Sequence, residues 1–303
     1  MLGRAFLWAS ENPRVEDIIT NHALARPIVE RFVAGERVDD ALEAIDDLNS
    51  RGIGGILDLL GEGVDDPAGA QSAADDYLTA IKRVQETGVD TRVSVKLTQL
   101  GLAFDKHACI DHLRRLATEA QAAGTSVEID MEQLQYVSDT LDIYRVLQGD
   151  FPELRVAIQA YLRRTPVDLA KMAPIRPRIR LVKGTYAEDQ SVALQRRREI
   201  DAQYAFLTDW LFENGTDPGI ATHDHKLIDH AQRAAERTRT ATDSWEIQML
   251  YGIRRELQDE LARRGHRVRV YVPFGTAWYP YLMRRIAERP ANVRFFLRAL
   301  ARG

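Results

Sequence analysis

Short apolar runs alternate with longer amphipathic segments along the chain from residue 51 onward. A short apolar run bounded by turn residues is typical of a buried strand, and apolar positions three and four residues apart are typical of a helix. Eight such runs are predicted strands: 54–61, 92–98, 126–132, 155–161, 178–184, 219–224, 245–250 and 268–275. Segments with helical spacing lie between them, among them 71–86, 112–123, 187–213 and 225–237.

Strands that alternate with helices pair in parallel through right-handed crossovers, and eight of them close into a barrel. The sequence therefore predicts an α/β fold of the (β/α)₈ TIM type. An open doubly wound sheet is the alternative, but Gly52-Ile-Gly-Gly55 precedes a strand and lacks the spacing of a dinucleotide loop. Residues 1–50 have the pattern of two or three helices. We expect them to form an arm that packs on a catalytic barrel of residues 51–303, with a C-terminal helix closing the active site.

Length, composition and charge narrow the range of possible functions. A chain of 303 residues with 45% hydrophobic and 28% charged residues suits one barrel, which needs about 250 residues. The net charge of −4 offers no basic field for nucleic acid. The single cysteine, Cys109, fits a reducing compartment. We expect a cytoplasmic protein, since the apolar N-terminal run is too short for a signal peptide. The apolar ends around Phe6 and Phe295 leave peripheral contact with the inner face of a membrane open, although we favour ordinary packing.

Polar residues come late in nearly every predicted strand. They are Lys96, Asp130, Gln159, Arg180, Lys183, His223, Gln248, and Arg269 beside Tyr271. The carboxyl ends of barrel strands carry the active site, and a charge inside a barrel is costly unless it is paired or used. Cations outnumber acids in this set, which predicts an anionic ligand. The alternative is that these residues pair with one another in a structural network across the barrel mouth. For any one residue the two interpretations are equally good, but for the whole set we favour a ligand-binding site.

One face of the C-terminal helix carries Tyr281, Arg284, Arg285 and Glu288, at positions i, i+3, i+4 and i+7. Taken alone, this pattern indicates a solvated face in which Arg284 pairs with Glu288. The helix, however, begins directly after the last predicted strand, so its first turns border the barrel mouth. Two guanidinium groups there can clamp a carboxylate, with Lys96 as a third cation.

His223 and His225, with His230 nearby, are open to other interpretations. A His-x-His pair on a barrel strand occurs in metal-dependent hydrolases, and this is our alternative function. Two ligands do not make a metal site, however. Thr222 and His223 can instead donate to a phosphate at a helix start, or both histidines can be satisfied polar residues at a strand end.

Several blocks in strand order resemble the proline dehydrogenase family in its monofunctional bacterial form. They are Ser94-Val-Lys-Leu-Thr98, Glu128-Ile-Asp-Met-Glu132, Ile158-Gln-Ala-Tyr161, Arg180-Leu-Val-Lys-Gly-Thr-Tyr186, Ala221-Thr-His223, Glu246-Ile-Gln-Met-Leu-Tyr-Gly252, Tyr271-Val-Pro-Phe-Gly275 and Tyr281-x-x-Arg-Arg-x-x-Glu288. Each block is weak alone, but their order and their placement at strand ends are specific. The resemblance runs from the first predicted strand to the C-terminus.

The resemblance implies a barrel that holds non-covalent FAD across its mouth and oxidises L-proline to 1-pyrroline-5-carboxylate by hydride transfer. Asp130 and Arg180 would be catalytic, with Arg180 at the reactive edge of the flavin and Asp130 orienting the cations. Glu288 would anchor the arginine pair, and no metal is expected. The implied substrate-binding residues are Lys96, Leu181, Tyr271, Tyr281, Arg284 and Arg285. The implied FAD-binding residues are Met131, Gln159, Arg180, Lys183, Gly184, Thr185, Thr222, His223 and Gln248.

The resemblance also implies partners. A quinone-type acceptor would reoxidise the reduced flavin. Since such an acceptor lies in a membrane, the apolar ends would then contact the membrane surface. The chain carries no aldehyde dehydrogenase module, so we expect a separate pyrroline-5-carboxylate dehydrogenase to act on the product.

Overall fold

Eight parallel strands form a closed barrel in the computed structural model, which describes residues 26–61 and 64–287, with the side chains of 29–61 and 64–283. The strands are β1 (Gly54–Leu59), β2 (Thr91–Val95), β3 (Val127–Ile129), β4 (Arg155–Gln159), β5 (Ile179–Val182), β6 (Gly219–Ala221), β7 (Glu246–Leu250) and β8 (Val268–Phe274). Each pairs with the next along the chain, and β8 pairs with β1, with Tyr271 beside Ile56. The predicted (β/α)₈ barrel is confirmed.

Helices cover the outside of the barrel. They are α1 (Arg26–Phe32), α2 (Val38–Ser50), α3 (Pro67–Thr87), α4 (Lys106–Ala122), α5 (Leu134–Leu147), α6 (Thr165–Met172), α7 (Arg197–Asn214), α8 (His225–Thr238), α9 (Arg255–Arg263) and α10 (Trp278–Ala287). None of the described helices has the length and apolar character needed to cross a membrane.

Helix α2 packs against β1 and β8. Its residue Ile45 is fully buried against Gly55 of β1, where an added Cβ would lie 2.8 Å from the isoleucine side chain. The glycine therefore permits the close approach of this helix to the barrel. The division into an arm and a barrel domain stays a prediction, and residues 1–25 lie outside the described part.

The helix predicted over 187–213 is wrong in its first third. Helix α7 begins at Arg197, and the preceding residues form a loop joined to the turn after β4. In that contact Leu194 N donates to Tyr161 O at 2.8 Å and Arg163 N donates to Val192 O at 2.9 Å. These hydrogen bonds to a distant segment outcompete the local helical pattern.

The amino-terminal end of the barrel interior is filled by a buried ion-pair network. Arg155 is fully buried, and its Nη1 donates to Glu128 at 2.9 Å and also to Glu246. Arg92 Nη1 reaches the same two carboxylates at 2.8 and 2.9 Å, and Asp217 accepts from Arg155 Nη2 at 2.6 Å. Each charge in this network therefore has an opposite charge within hydrogen-bonding distance, as buried charges require.

Arg269 belongs to this lower layer and not to the barrel mouth. It is the second residue of β8, and its Nε donates to Glu246 at 3.2 Å while its Nη1 donates to Gly55 O at 3.2 Å. The prediction that groups it with the strand-end residues is wrong, because its side chain faces the interior one layer below that of Tyr271.

The network predicts a loss of stability in acid. Burial opposes ionisation of Glu246, but the charges of Arg155 and Arg92 outweigh it and hold the pKa of this carboxyl well below its ordinary range. A depressed folded-state pKa stabilises the fold above the unfolded pKa, about 4.3 for glutamate, and the contribution is lost as the pH falls toward the folded value. We expect the free energy of unfolding in urea to fall between about pH 5 and pH 3.

The Glu246→Gln variant is the control, because it has no carboxyl to titrate there. Its free energy of unfolding should depend less steeply on pH over the same interval. Parallel curves for the two proteins would show that this carboxylate does not cause the loss.

Candidate functional site

A cavity of about 810 Å³ opens at the carboxyl ends of the strands, beneath the start of α10. This volume lies in the range of ligand-binding pockets. The lining includes most residues predicted from the sequence: Lys96, Asp130, Met131, Gln159, Arg180, Lys183, Gly184, Thr185, Thr222, His223, Gln248, Tyr271 and Tyr281. The fold therefore gathers these residues from seven strand ends and one helix around a single space.

The deep end of the cavity holds an inner cluster made of Asp58, Lys96, Asp130, Arg180 and Tyr271. Lys96 Nζ lies 2.7 Å from Asp58 Oδ1 and 3.0 Å from Asp130 Oδ2. Arg180 Nη2 donates to Asp130 Oδ1, and the Tyr271 hydroxyl donates to Asp130 Oδ2 at 2.7 Å. The guanidinium of Arg180 also lies 5.2 Å from the centre of the Tyr271 ring. Two cations and two carboxylates balance one another here.

The electrostatics of the inner cluster separate its two carboxyl groups. Burial raises the pKa of Asp58; the ammonium of Lys96 opposes this rise, and the charge of Asp130 adds to it. Burial also opposes ionisation of Asp130, but Lys96 and Arg180 outweigh it and hold its pKa below the usual range. Burial likewise works against the charge of Lys96, yet Asp58 is the first of several neighbours that keep its pKa well above the ordinary value.

A rim cluster of Lys183, Arg197, Asp224 and Arg254 lies in the loops and helix starts that follow β5, β6 and β7. Lys183 Nζ lies 3.6 Å and Arg197 Nη2 3.2 Å from Asp224 Oδ2, while Arg254 Nη1 donates to His223 O at 2.8 Å. Lys183 and Arg197 thus share Asp224, and both also contact Asp201 at 2.5 and 3.5 Å, while Arg254 adds a third cation to the lining. The excess positive charge of the cavity lies at the rim, which suits an anionic group there better than in the balanced inner cluster.

Some buried polar atoms of the described cavity wall have no hydrogen-bond partner in the protein. The Nε2 of Gln159 donates to Met131 O at 3.3 Å and Glu132 O at 3.2 Å, which leaves Gln159 Oε1 unpaired. Arg180 Nε and Gln248 Oε1 also have no hydrogen-bond partner in the described protein. Buried polar groups are normally satisfied, so this wall is suited to a ligand that offers both donors and acceptors.

Gly184 shapes the wall between the inner and rim clusters. Its φ is +113°, and an added Cβ would lie 2.1 Å from the ring of Tyr161. A side chain at this position would therefore clash and strain the backbone, and the glycine lets the Tyr161 ring pack directly against the main chain.

One predicted substrate residue is misplaced. Leu181 is fully buried but does not line the described cavity, and its carbonyl accepts from the Tyr204 hydroxyl of α7 at 3.0 Å. Its neighbours Arg180 and Val182 both line the cavity. Because side chains alternate along a strand, Leu181 faces the outer helices, and its assignment to the substrate pocket is wrong.

The arginine clamp stays a prediction. Tyr281 lies in α10, is buried and lines the cavity. Arg284 and Arg285 also belong to α10, but their side chains lie outside the described part. Glu288 and the apolar ends around Phe6 and Phe295 lie outside the described residues altogether.

The alternative of a metal-dependent hydrolase gains no support. Within 26–61 and 64–287, no group of three or more histidine, cysteine, aspartate or glutamate side chains is arranged to hold a metal ion. His223 Nε2 accepts from Leu250 N at 2.9 Å, and His225 is the first residue of α8. The two histidines lie at a strand end and at a helix start, without a third ligand that would complete a site.

Sequence reasoning missed several lining residues, among them Asp58, Tyr186, Arg197 and Arg254. A signal for Asp58 was present, since it is a lone acid in the apolar strand β1. Arg197 and Arg254 lie next to helix starts far apart in sequence, and nothing local distinguishes them from surface arginines.

The fold and the cavity define an α/β-barrel enzyme whose site lies at the carboxyl ends of the strands. The proline dehydrogenase family model matches residues 41–298. The chain therefore belongs to the proline dehydrogenase family, as the sequence predicted, and is an enzyme of that family.

Two relatives match almost end to end. Proline dehydrogenase 1 of Bacillus subtilis subsp. natto is 38% identical over 300 residues, which is 99% of this chain and 99% of the relative. Proline dehydrogenase of Deinococcus radiodurans is 38% identical over 305 residues, covering 99% of this chain and 98% of the relative. Among solved structures, proline utilization A of Bdellovibrio bacteriovorus matches with a TM-score of 0.82 and 24% identity over 91% of this chain and 34% of that one. This last likeness supports the fold.

Proposed function

We propose that the protein oxidises L-proline to 1-pyrroline-5-carboxylate with FAD as the bound electron acceptor. The observation that carries the proposal is the inner cluster, which places paired cations, carboxylates and a phenol at the deep end of the cavity of a proline dehydrogenase-family barrel. The matching relatives are named as proline dehydrogenases, which supports proline as the substrate.

The cavity wall suits the parts of FAD. The unpaired Oε1 atoms of Gln159 and Gln248 and the Nε of Arg180 offer acceptors and a donor to a flavin ring, with Met131 beside them. Lys183, Gly184 and Thr185 would hold the ribityl–phosphate portion. Thr222 and His223, with the rim cluster, would hold the pyrophosphate, where the cavity has its excess of positive charge.

When bound, a flavin supplies an acceptor for the hydride that leaves the carbon next to the substrate nitrogen. Arg180 carries a fixed positive charge at the deep end of the cavity, and burial in a dry site strengthens its effect on negative charge that develops during the reaction. Asp130 fixes Arg180 and Tyr271 through hydrogen bonds, so both are oriented before the substrate arrives.

The substrate carboxylate would be held by Arg284 and Arg285, with Lys96 near it, while Tyr271 and Tyr281 pack against the ring. Because Lys96 is already flanked by Asp58 and Asp130, the two arginines would carry the larger share of this binding. Holding the carboxylate fixes the ring, and a fixed ring reaches the reactive geometry far more often than a colliding one.

The proposal extends to partners. A quinone-type acceptor would reoxidise the reduced flavin, with peripheral contact at the inner face of the membrane. A separate pyrroline-5-carboxylate dehydrogenase would take the product.

The purified protein is expected to be yellow, or to gain a flavin absorption band when FAD is added. Anaerobic mixing with L-proline should bleach that band, because the electrons have no other acceptor. L-alanine, which has the carboxylate and amine but no ring, is the control and should leave the band unchanged. A protein that binds no flavin, or whose flavin is not bleached by L-proline, contradicts the proposed function.

A further inference from the structure

Oxidation at a carbon next to nitrogen requires the nitrogen lone pair, so the substrate amine must lose a proton. An alkylammonium such as that of lysine has a pKa of about 10.4, and such an amine is therefore almost fully protonated at neutral pH. The site consequently needs a proton acceptor close to the substrate. The proposed function leaves that acceptor unassigned.

Lys96 is the cation of the inner cluster that contacts both carboxylates, and its neighbours hold it in the charged form. A charged ammonium cannot take up a proton unless it releases one. A proton can therefore pass through Lys96 only if Asp58 or Asp130 receives one from it.

The two carboxylates are not equivalent as receivers. Asp130 Oδ1 accepts from Ser94 at 2.8 Å and from Arg180, and its Oδ2 accepts from Tyr271 at 2.7 Å. These donors, one of them a full positive charge, favour the ionised form of Asp130. Asp58 Oδ1 accepts from Lys96 at 2.7 Å, and the guanidinium of Arg180 is bound to Asp130 instead.

We propose that Asp58 is the proton acceptor for the substrate amine and that it acts through Lys96, an inference that rests on the proposed function. The substrate ammonium gives one proton to Lys96 Nζ while Lys96 gives one of its own to Asp58 Oδ1. The substrate becomes a neutral amine, Lys96 stays an ammonium, and Asp58 becomes a carboxylic acid. Asp58 later returns the proton to water, and no redox partner takes part in the transfer.

The surroundings of Asp58 agree with this assignment. Titratable and charged groups reach it from four strand ends and one helix: Lys96 after β2, Asp130 after β3, Arg180 of β5, Tyr271 of β8 and Tyr77 of α3. Burial and the neighbouring charge of Asp130 raise the pKa of Asp58 while that of Asp130 is lowered. When two coupled carboxyl groups are driven apart in this way, the raised one takes the first proton.

The Asp58→Asn variant tests the inference, because an amide oxygen still accepts the hydrogen bond from Lys96 but takes no proton. The rate constant of flavin reduction by L-proline, followed anaerobically from pH 5 to pH 10, should reach a plateau in the unmodified protein. In the variant it should be about 100-fold lower near pH 7 and keep rising with pH, since the amine must deprotonate unaided. Asp168→Asn is the matched control, because Asp168 is a buried aspartate of α6 that pairs with Arg164 just before the helix, and it should keep the profile.

An infrared titration gives a readout independent of activity. The unmodified protein should show a protonated-carboxyl band that titrates together with the kinetic profile and is missing from Asp58→Asn. Because burial of an ionised Asp58 is unfavourable, the amide should be tolerated by the fold.

The outcomes separate the two proposals. A wild-type pH profile in Asp58→Asn overturns the inference, whereas failure of every protein to bleach at any pH overturns the proposed function. If Asp58→Asn does not fold, Asp58→Glu decides: its carboxyl lies one methylene farther along, so the profile should shift, and an unchanged profile again overturns the inference.

Discussion

Replacing Arg155 by methionine is expected to lower the free energy of unfolding by about 3–5 kcal/mol. Arg155 is fully buried at the amino-terminal end of the barrel, where it contacts Glu128, Glu246 and Asp217. Methionine has a similar length but no charge, so it leaves these carboxylates with less compensation in a dry interior. Removing one partner of a buried ion pair costs far more than the pair itself contributes.

Urea unfolding at pH 7 measures this difference. Arg114→Met is the control, because Arg114 pairs with Asp150 on the surface, where both side chains are about half exposed. Such a pair is worth roughly 0–1 kcal/mol. Equal losses in the two variants would mean that the interior network does not contribute more than a surface pair.

Replacing Arg180 by methionine is expected to slow flavin reduction by L-proline by about 10²–10³-fold. Its guanidinium is the buried positive charge bound to Asp130, and it lies 5.2 Å from the Tyr271 ring. Its loss removes the charge that would stabilise negative charge developing at the flavin. It also frees Asp130 and Tyr271 from one of the contacts that orient them.

Anaerobic stopped-flow bleaching at saturating L-proline measures the rate. Arg180→Lys keeps the charge but loses the forked geometry, so we expect it to recover only part of the loss. Arg145→Met, at an exposed pair with Asp142, controls for the loss of an arginine as such and should reduce at the normal rate. A full rate in Arg180→Met would exclude Arg180 from the chemistry.

The cavity contains two regions of different net charge, which the sequence alone does not distinguish. In the linear order, the polar residues of the strand ends form a single, mostly cationic set. In the barrel they form a neutral inner cluster and a positive rim cluster. This division supports a carboxylate-rich proton site at the deep end and a phosphate-binding site at the edge, within one cavity.

Most of the fold follows from local pattern. Apolar runs of strand length that alternate with amphipathic helices permit few topologies, and the right-handed crossover rule leaves the closed parallel barrel. The same reasoning fails at residues 187–196, where hydrogen bonds to Tyr161 and Arg163 override the local helical signal. It also fails at Arg269, which is placed at the wrong end of β8.

The sequence by itself determined the barrel, its family and thirteen of the residues that line the site, because strand periodicity and strand-end position are local properties of the chain. Only the tertiary structure decided which of those charges meet. Asp58 and Lys96 are 38 residues apart, and Asp130 and Arg180 are 50 apart. Whether a carboxylate stays ionised or becomes the proton acceptor depends on its burial and on the charged groups within a few ångströms of it. Closure of the barrel brings those groups together from strands that are far apart in the chain.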